Sequence, residues 1–160
     1  NNPDRRTRVQ KLYWREDGTP DFGVPLAEGL TPVRFRTASG EVAYLTNQGN
    51  AEDITVGSDA PIEEQLFRIN KPGLKGCGSV SLESANLPGH FIANQSGRAV
   101  LVSGDDSEDF KNAASFQQVV GLSDEAGVSF KSGDLYLAAG SDGVVLGPAD
   151  DEATATFFTE

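Results

Sequence analysis

Three similar stretches decide the fold of this chain: VRFRTASGEVAYLTN at residues 33–47, VSLESANLPGHFIAN at 80–94 and VSFKSGDLYLAAG at 128–140. Each opens on a valine, reaches an aromatic–aliphatic pair, and is followed by a short apolar run, DITVG, AVLVS or GVVLG. Each unit then closes on a phenylalanine, which is Phe67, Phe116 or Phe157. A unit of 45 to 48 residues that recurs three times predicts a closed threefold architecture, because one such unit cannot bury its own apolar face.

The segments between turns indicate an all-β protein. They are short and rich in Val, Phe, Tyr and Thr, while helical periodicity is nearly absent. Each repeat contains four strand candidates, which in the second repeat are residues 80–84, 90–94, 99–103 and 115–120. Four strands per unit also describe a propeller blade, but three blades are fewer than the usual range of about four to eight. We therefore predict a β-trefoil over residues 31–160, with repeats at about 31–74, 75–122 and 123–160.

The net charge restricts the classes of partner. The chain has 160 residues and a formal net charge of −11. Residues 1–36 carry seven basic and five acidic side chains, whereas residues 37–160 carry six basic and nineteen acidic ones. An acidic surface repels phosphate groups, so we expect neither nucleic acid nor membrane as a partner. Neutral ligands such as sugars remain compatible with this charge.

Residues 1–28 lie outside the repeat and predict a β-hairpin, with strands at about 8–14 and 21–26 around a turn at Glu16-Asp17-Gly18. The chain contains no methionine and begins at Asn1. We therefore interpret the chain as a piece of a longer secreted, extracellular protein from which any signal peptide has been removed.

The second repeat resembles a known family. Its segment FRINKPGLKGCGSVSLESANLPGHFIAN, together with ASFQQVVGL further on, is similar to carbohydrate-binding module family 42, the arabinose-binding β-trefoil of fungal and bacterial arabinofuranosidases. The matching residues are Phe67, Pro72-Gly73-Leu74, Val80 to Ser84, Asn86 to Gly89, and Phe91-Ile92. The resemblance is strong in repeat two and fair in the other two repeats. It implies a trefoil that binds arabinofuranose.

The N-terminal segment resembles a different family. VQKLYWREDGTPDFG is similar to the closing strands of the five-bladed propeller of glycoside hydrolase family 43, in which a Gln, a Trp, Asp-Gly-x-Pro and Phe-Gly recur in that order. Together the two resemblances imply the C-terminal end of a hemicellulose-degrading enzyme. The carboxylates that perform catalysis in that propeller would precede Asn1, so we expect this chain not to be an enzyme by itself.

The family 42 resemblance implies one sugar pocket per repeat, in which a histidine ends one strand and an aspartate precedes a later one. At these positions the sequence carries Asn47 with Glu64, Asn94 with Ala113, and Ala139 with Thr154. Furanose recognition needs paired donors and acceptors, which an amide and a carboxylate can supply. We therefore expect Asn47, Glu64 and Asn94 to be the carbohydrate-binding residues, with the first pocket best equipped and the third nearly empty. The alternative is that Asn47 and Glu64 are solvated turn residues.

Asn94-Gln95-Ser96 is also a glycosylation sequon, and a glycan on Asn94 would occupy the mouth of the second pocket. The acidic run at residues 105–109 lacks the glycine-centred spacing of a calcium loop. We expect a solvated loop there, and neither a metal nor a cofactor.

The sequence also predicts how deeply four further residues are buried. His90, the only histidine, is expected to be a half-buried packing residue. Cys77, the only cysteine, is expected to be buried and unreactive. Tyr44 and Tyr136 fall within the repeat pattern, and the core is the expected place for both. The alternative is that each exposes an edge to sugar.

The leading hypothesis is a non-catalytic carbohydrate-binding module for arabinofuranose side chains of arabinoxylan or arabinan. Its partners would be an arabinose-containing polysaccharide and the catalytic propeller domain or chain of a glycoside hydrolase. The alternative is a degenerate trefoil that buttresses a family 43-like catalytic domain without binding sugar. A lectin or a protease inhibitor is compatible with the fold alone.

Overall fold

The computed structural model describes residues 13–14, 18–21 and 31–160. The chain divides into two units, Asn1–Thr31 and Pro32–Glu160. In the first unit, strand β1 (Tyr13–Trp14) pairs antiparallel with β2 (Pro20–Asp21). The rest of the predicted N-terminal hairpin lies outside the described residues.

Residues 31–160 form twelve strands in three groups of four. The first group is β3 (Phe35–Thr37), β4 (Tyr44–Thr46), β5 (Thr55–Gly57) and β6 (Phe67–Asn70). The second group is β7 (Ser81–Ser84), β8 (His90–Gln95), β9 (Arg98–Ser103) and β10 (Gln117–Val120). The third group is β11 (Val128–Ser132), β12 (Leu135–Gly140), β13 (Gly143–Gly147) and β14 (Phe157–Thr159). A 3-10 helix (Ile62–Gln65) precedes β6, and one short α-helix, α1 (Glu108–Ala113), precedes β10.

Six of these strands close a barrel. Within each repeat, the start of the first strand bridges the last strand, through Val33 with Phe67, Val80 with Phe116, and Val128 with Phe157. Between repeats, β6 pairs with β7, β10 with β11, and β14 with β3. These pairings return to their starting strand, so the predicted all-β trefoil is confirmed.

The other six strands form three hairpins, β4–β5, β8–β9 and β12–β13. Backbone bonds join one hairpin to the next. The N–H of Ile54 donates to the carbonyl of Ala99 at 2.8 Å, and the N–H of Val144 donates to the carbonyl of Ile54 at 2.8 Å. All three repeats therefore contribute to one hydrogen-bonded cap.

Phenylalanines from different repeats fill the barrel. The ring centroid of Phe35 lies 5.3 Å from that of Phe130, 6.1 Å from that of Phe67 and 6.5 Å from that of Phe157. Phe67, Phe116 and Phe157, which close the three repeats, are at most 1% exposed. The prediction that these three are core residues is confirmed.

The prediction that Tyr44 and Tyr136 are core residues was wrong. Successive side chains of a strand point to opposite faces, and the inward positions belong to the next residues, Leu45 and Leu137, which are fully buried. Both tyrosines are half-buried and face outward.

Helix α1 includes part of the predicted acidic loop. Ser107 caps it, since its Oγ accepts the N–H of Phe110 at 3.1 Å, and Glu108 and Asp109 occupy the first turn. Acidic residues there are favourable because the N-terminal end of a helix carries partial positive charge. Phe110 is buried against Phe91, with ring centroids 6.0 Å apart. The pair anchors a second, smaller apolar cluster.

Cys77 was also predicted incorrectly, because it is exposed. It lies in a turn between Gly76 and Gly78, whose φ angles are +91° and +84°. His90 is half-buried, as predicted, with its Nδ1 3.4 Å from the carbonyl oxygen of Pro88. Among the described residues, no helix has the length and apolar character needed to span a membrane.

Candidate functional site

The first repeat brings Asn47 and Glu64 together through the main chain. Asn47 follows β4, and Glu64 lies in the 3-10 helix. The backbone N–H of Asn47 donates to the carbonyl oxygen of Glu64 at 3.0 Å, and Nδ2 of Asn47 donates to the same oxygen at 2.8 Å. The carboxylate of Glu64 takes no part in this contact.

Asn47 also connects two repeats from a buried position. It is 1% exposed, and its Nδ2 lies 3.1 Å from Oδ1 of Asn86 and 3.4 Å from Oγ of Ser84. An amide nitrogen carries only two hydrogens, so these three acceptors share them. The interpretation of Asn47 as a solvated turn residue was therefore wrong. Its side chain fastens the 3-10 helix to the β7–β8 connection.

Glu64 has the unpaired polar side chain at this contact. Its side chain is half-buried, and within residues 31–160 no hydrogen bond or ion pair engages its carboxylate. An ionised carboxylate accepts several hydrogen bonds, so the group can receive adjacent sugar hydroxyls. The neighbouring Glu63 is exposed.

The second repeat lacks this arrangement. Asn94 is half-buried near the end of β8, and its Oδ1 accepts the N–H of Gly97 at 2.8 Å within the β8–β9 turn. No backbone bond corresponding to that between Asn47 and Glu64 joins Asn94 to Ala113 within residues 31–160. Helix α1 instead places an apolar cluster here. The amide nitrogen of Asn94 and one lone pair of its Oδ1 remain available.

The third repeat keeps the backbone geometry without the polar side chains. The N–H of Ala139 donates to the carbonyl of Thr154 at 2.9 Å, as Asn47 does to Glu64. The hydroxyl of Thr154 donates to the carbonyl of Asp151 at 2.7 Å. Ala139 offers no side-chain donor or acceptor, so this position holds the fewest groups for a sugar.

A charged cluster lies on the outer face of β3, β4 and β14. The carboxylate of Glu160 accepts from Nε of Arg36 at 2.8 Å, from Nη2 of Arg34 at 3.2 Å and from the hydroxyl of Tyr44 at 3.0 Å. The bond from Arg36 is the main cause that lowers the pKa of Glu160. Desolvation, followed by the bond to Glu160, raises the pKa of Tyr44.

The arginines of this cluster also cover aromatic rings. The guanidinium of Arg34 lies 4.2 Å from the ring centroid of Tyr44, and that of Arg36 lies 4.5 Å from the ring centroid of Phe158. The cluster is therefore a structural tie between the first and last strands of the barrel. No local pattern predicted this cluster, because Arg34 and Glu160 are separated by 126 positions.

The closed barrel and its three hairpins, with equivalent positions in each repeat, define a β-trefoil. The sequence profile of the alpha-L-arabinofuranosidase B (ABFB) domain, AbfB, matches residues 33–156. The chain belongs to this family. The match begins after the N-terminal segment, and none of these comparisons supports the resemblance of that segment to glycoside hydrolase family 43.

Named arabinofuranosidases share this domain. The chain is 44% identical over 125 residues to alpha-L-arabinofuranosidase B of Pyricularia oryzae, covering 77% of this chain and 25% of that protein. It is 43% identical over 141 residues to alpha-L-arabinofuranosidase 43 of Humicola insolens, covering 82% and 29%. It is 38% identical over 126 residues to an extracellular exo-alpha-(1->5)-L-arabinofuranosidase of Streptomyces avermitilis, covering 79% and 26%. The chain thus spans less than a third of each relative.

Solved structures agree on the fold. A GH54 arabinofuranosidase soaked with 4-nitrophenyl arabinofuranoside superposes with a TM-score of 0.72 at 18% identity, covering 86% of this chain and 32% of that one. The BEL β-trefoil superposes with a TM-score of 0.66 at 15% identity, covering 84% and 94%. At these identities the likeness concerns the fold alone.

Proposed function

We propose that this domain is a non-catalytic carbohydrate-binding module that binds arabinofuranose side chains of arabinoxylan or arabinan. The observation that carries the proposal is the half-buried and unpaired carboxylate of Glu64, whose backbone Asn47 holds in an AbfB-family trefoil. This is the position at which the family 42 resemblance implies a sugar pocket. A partly desolvated acceptor gains more from sugar hydroxyls than a fully solvated one, because less water competes for it.

The three sequence candidates have different roles in this proposal. Glu64 contacts the sugar, and Asn47 positions the backbone of Glu64 from its buried place. Asn94 provides a weaker second site, because its Oδ1 is already engaged by Gly97. A glycan attached to Nδ2 of Asn94 would block that second site, so glycosylation and sugar binding there exclude one another.

The affinity of one such pocket is expected to be low. A shallow site for a single sugar typically has a Kd near 1 mM, which is about −4 kcal/mol. Retention on a branched polysaccharide then depends on more than one contact per chain.

The hydrolytic activity of the relatives is assigned in this proposal to residues outside this chain. The chain corresponds to 25%, 29% and 26% of the three relatives, which favours one accessory module within a longer glycoside hydrolase. The name of the Streptomyces avermitilis relative describes it as extracellular, which supports secretion of this protein as well. Residues 1–28 would then be the last strands of a catalytic propeller.

The test is titration of free arabinose and of insoluble arabinoxylan against the wild-type chain, Glu64→Ala and Glu63→Ala. Glu64→Ala should weaken arabinose binding by about tenfold or more, since it removes a charged acceptor worth roughly 1.5–3 kcal/mol. Glu63→Ala is the matched control, because Glu63 is exposed on the same 3-10 helix. It should bind like the wild type.

Two results would overturn the proposal. The first is a wild-type chain that retains neither arabinose nor arabinoxylan above a denatured control, which would leave a structural trefoil. The second is equal loss of binding in the two variants. That result would show that binding depends on the negative charge of the 3-10 helix rather than on a contact made by Glu64.

A further inference from the structure

Three equivalent rows of outward-facing residues cross the sheet, one in each repeat. Residues that lie directly opposite each other on paired strands share a face. The strand register gives a first row of Phe158, Arg36, Tyr44 and Gly57, a second of Arg68, Glu83, Phe91 and Val102, and a third of Gln117, Lys131, Tyr136 and Gly147. Each row has an aromatic residue at the same place, so the rows can be compared directly.

In the first two rows the aromatic ring is already covered. The guanidinium of Arg34 lies 4.2 Å from the ring centroid of Tyr44, and the hydroxyl of Tyr44 donates to Glu160. Phe91 is only 8% exposed because Phe110 of helix α1 packs against it. Neither ring is free to receive a ligand.

In the third row the ring is covered more loosely. Tyr136 is half-buried, and within residues 31–160 its hydroxyl has no hydrogen-bond partner. The Nζ of Lys131 lies over the ring at 5.7 Å from its centroid, farther than Arg34 is from Tyr44. Opposite Tyr136, no heavy atom lies within 4 Å of the place where a Cβ on Gly147 would be, and the same holds for Gly57 opposite Tyr44. The more distant cation and the unpaired hydroxyl therefore distinguish Tyr136 from Tyr44.

The same face continues as a low apolar strip. Two residues along the hairpin, Ala138 lies opposite Val145, which is 39% exposed. Gly147, opposite Tyr136, has no side chain to keep a flat molecule away from the backbone. The amine of Lys131 borders the strip, and its acidic neighbour Asp134 is 3.9 Å away and fully exposed. The amine therefore remains available as a donor.

We propose that this surface of repeat three, formed by Tyr136, Val145, Gly147 and Lys131 and named the tyrosine platform, stacks on a pyranose ring in the main chain of a neutral polysaccharide. A pyranose chair has a flat C–H-rich face that suits an aromatic ring, whereas its hydroxyls can pair with the phenol and the amine. The net charge of −11 opposes an acidic polymer and favours a neutral one. This proposal rests on the carbohydrate-binding function proposed above. It adds a contact with the main chain of the polysaccharide to the proposed contact with its arabinofuranose branches.

Two equivalent glycines provide a matched test. Gly147→Leu places a side chain beside Tyr136, and Gly57→Leu places the same side chain beside Tyr44, whose ring Arg34 already covers. Neither new Cβ meets a heavy atom within 4 Å, so both variants are expected to fold, which thermal unfolding checks. The probe is an insoluble linear xylan from which arabinose has been removed, and the readout is the fraction of the 160-residue chain that is retained.

Gly147→Leu and Tyr136→Ala should each lower the association constant for this xylan by about fivefold or more. Gly57→Leu should bind like the wild type, and free arabinose should bind equally to all four chains. Wild-type retention in both Gly147→Leu and Tyr136→Ala would overturn the platform, and so would an equal loss in Gly57→Leu. Absence of wild-type binding to arabinose-free xylan would also overturn it. The arabinofuranose proposal is judged separately, by the effect of Glu64→Ala on free arabinose.

Discussion

Asn47 and Glu160 are single side chains that join parts of the chain distant in sequence. Asn47 links the first repeat to the β7–β8 connection, and Glu160 links β14 to β3 and β4. In both cases one polar side chain satisfies several partners at once, which is the usual state of a buried or half-buried polar group. Their roles follow from the contacts, since each residue taken alone is an ordinary amide or carboxylate.

Glu160→Gln should reduce the free energy of unfolding at neutral pH by about 0.5–1 kcal/mol, because the arginines that it pairs with are partly exposed and solvent screens them. The pKa of Glu160 is held below its usual value of 4.5, chiefly by the hydrogen bond from Arg36. A carboxylate with a lowered pKa in the folded state contributes stability above its unfolded pKa, and this contribution is lost as the pH falls through the folded pKa. The difference between wild type and variant should therefore be full at pH 7 and shrink below the ordinary value of 4.5.

Urea unfolding at neutral and acidic pH measures this effect. Glu125→Gln is a suitable control, because Glu125 is an exposed glutamate in the connection between β10 and β11. A stability gap that stays constant between pH 7 and pH 3 would show that the charge of Glu160 is not the cause.

At the scale of elements, the segment before the last strand differs between repeats, whereas all three repeats contribute the same kind of strands to the barrel. The segment before the last strand is a 3-10 helix in repeat one and helix α1 in repeat two. The 3-10 helix leaves the carboxylate of Glu64 available, whereas α1 buries Phe110 in its own apolar cluster. This local difference leaves repeats with one backbone plan with different polar side chains at equivalent positions.

Ser107→Ala should destabilise helix α1 by about 1 kcal/mol, because the first-turn N–H of Phe110 then loses the acceptor that caps it. Thermal unfolding followed by circular dichroism gives the change in stability. Ser141→Ala is the control, since Ser141 is exposed in the β12–β13 turn. Equal melting temperatures for Ser107→Ala and wild type would mean that the cap does not stabilise this helix.

At the scale of the whole trefoil, stability depends on side chains that meet from different repeats. Phe35 lies at the centre of this core, within 6.5 Å of three other phenylalanine rings. Each repeat contributes strands to the barrel, but no repeat surrounds its own phenylalanine.

Phe35→Ala should lower the free energy of unfolding by about 3–5 kcal/mol, because it removes a fully buried ring and leaves a cavity. Phe158→Ala should cost clearly less, because Phe158 is half-buried on the outer face. Urea denaturation of both variants compares the two positions. Similar losses would show that the barrel centre does not dominate stability.

Pattern and turn chemistry were sufficient to predict the trefoil. Three copies of one apolar pattern, with valine at the start and phenylalanine at the end, constrain the chain to a closed threefold barrel. They also placed Phe67, Phe116 and Phe157 in the core. The outward direction of Tyr44 and Tyr136 was missed, because a short strand with apolar residues on both faces does not reveal its inward side.

Helix α1 had a local signal that was overlooked, namely Ser107 followed by two acidic residues. The exposure of Cys77 depends on the left-handed turn that Gly76 and Gly78 form around it. The sugar-binding roles of Asn47, Glu64 and Asn94 stay predictions, and so do the limits of the three repeats.

The sequence alone established a threefold all-β barrel, because apolar periodicity and turn residues are local properties of the chain. Only the tertiary structure decided which side chains are buried or covered. Burial of Asn47, covering of Tyr44 by Arg34 and of Phe91 by Phe110, and the looser approach of Lys131 to Tyr136 all depend on contacts with other side chains. Such contacts form only when the repeats pack against one another. A sequence pattern that repeats three times therefore does not require equivalent residues to be covered by equivalent side chains.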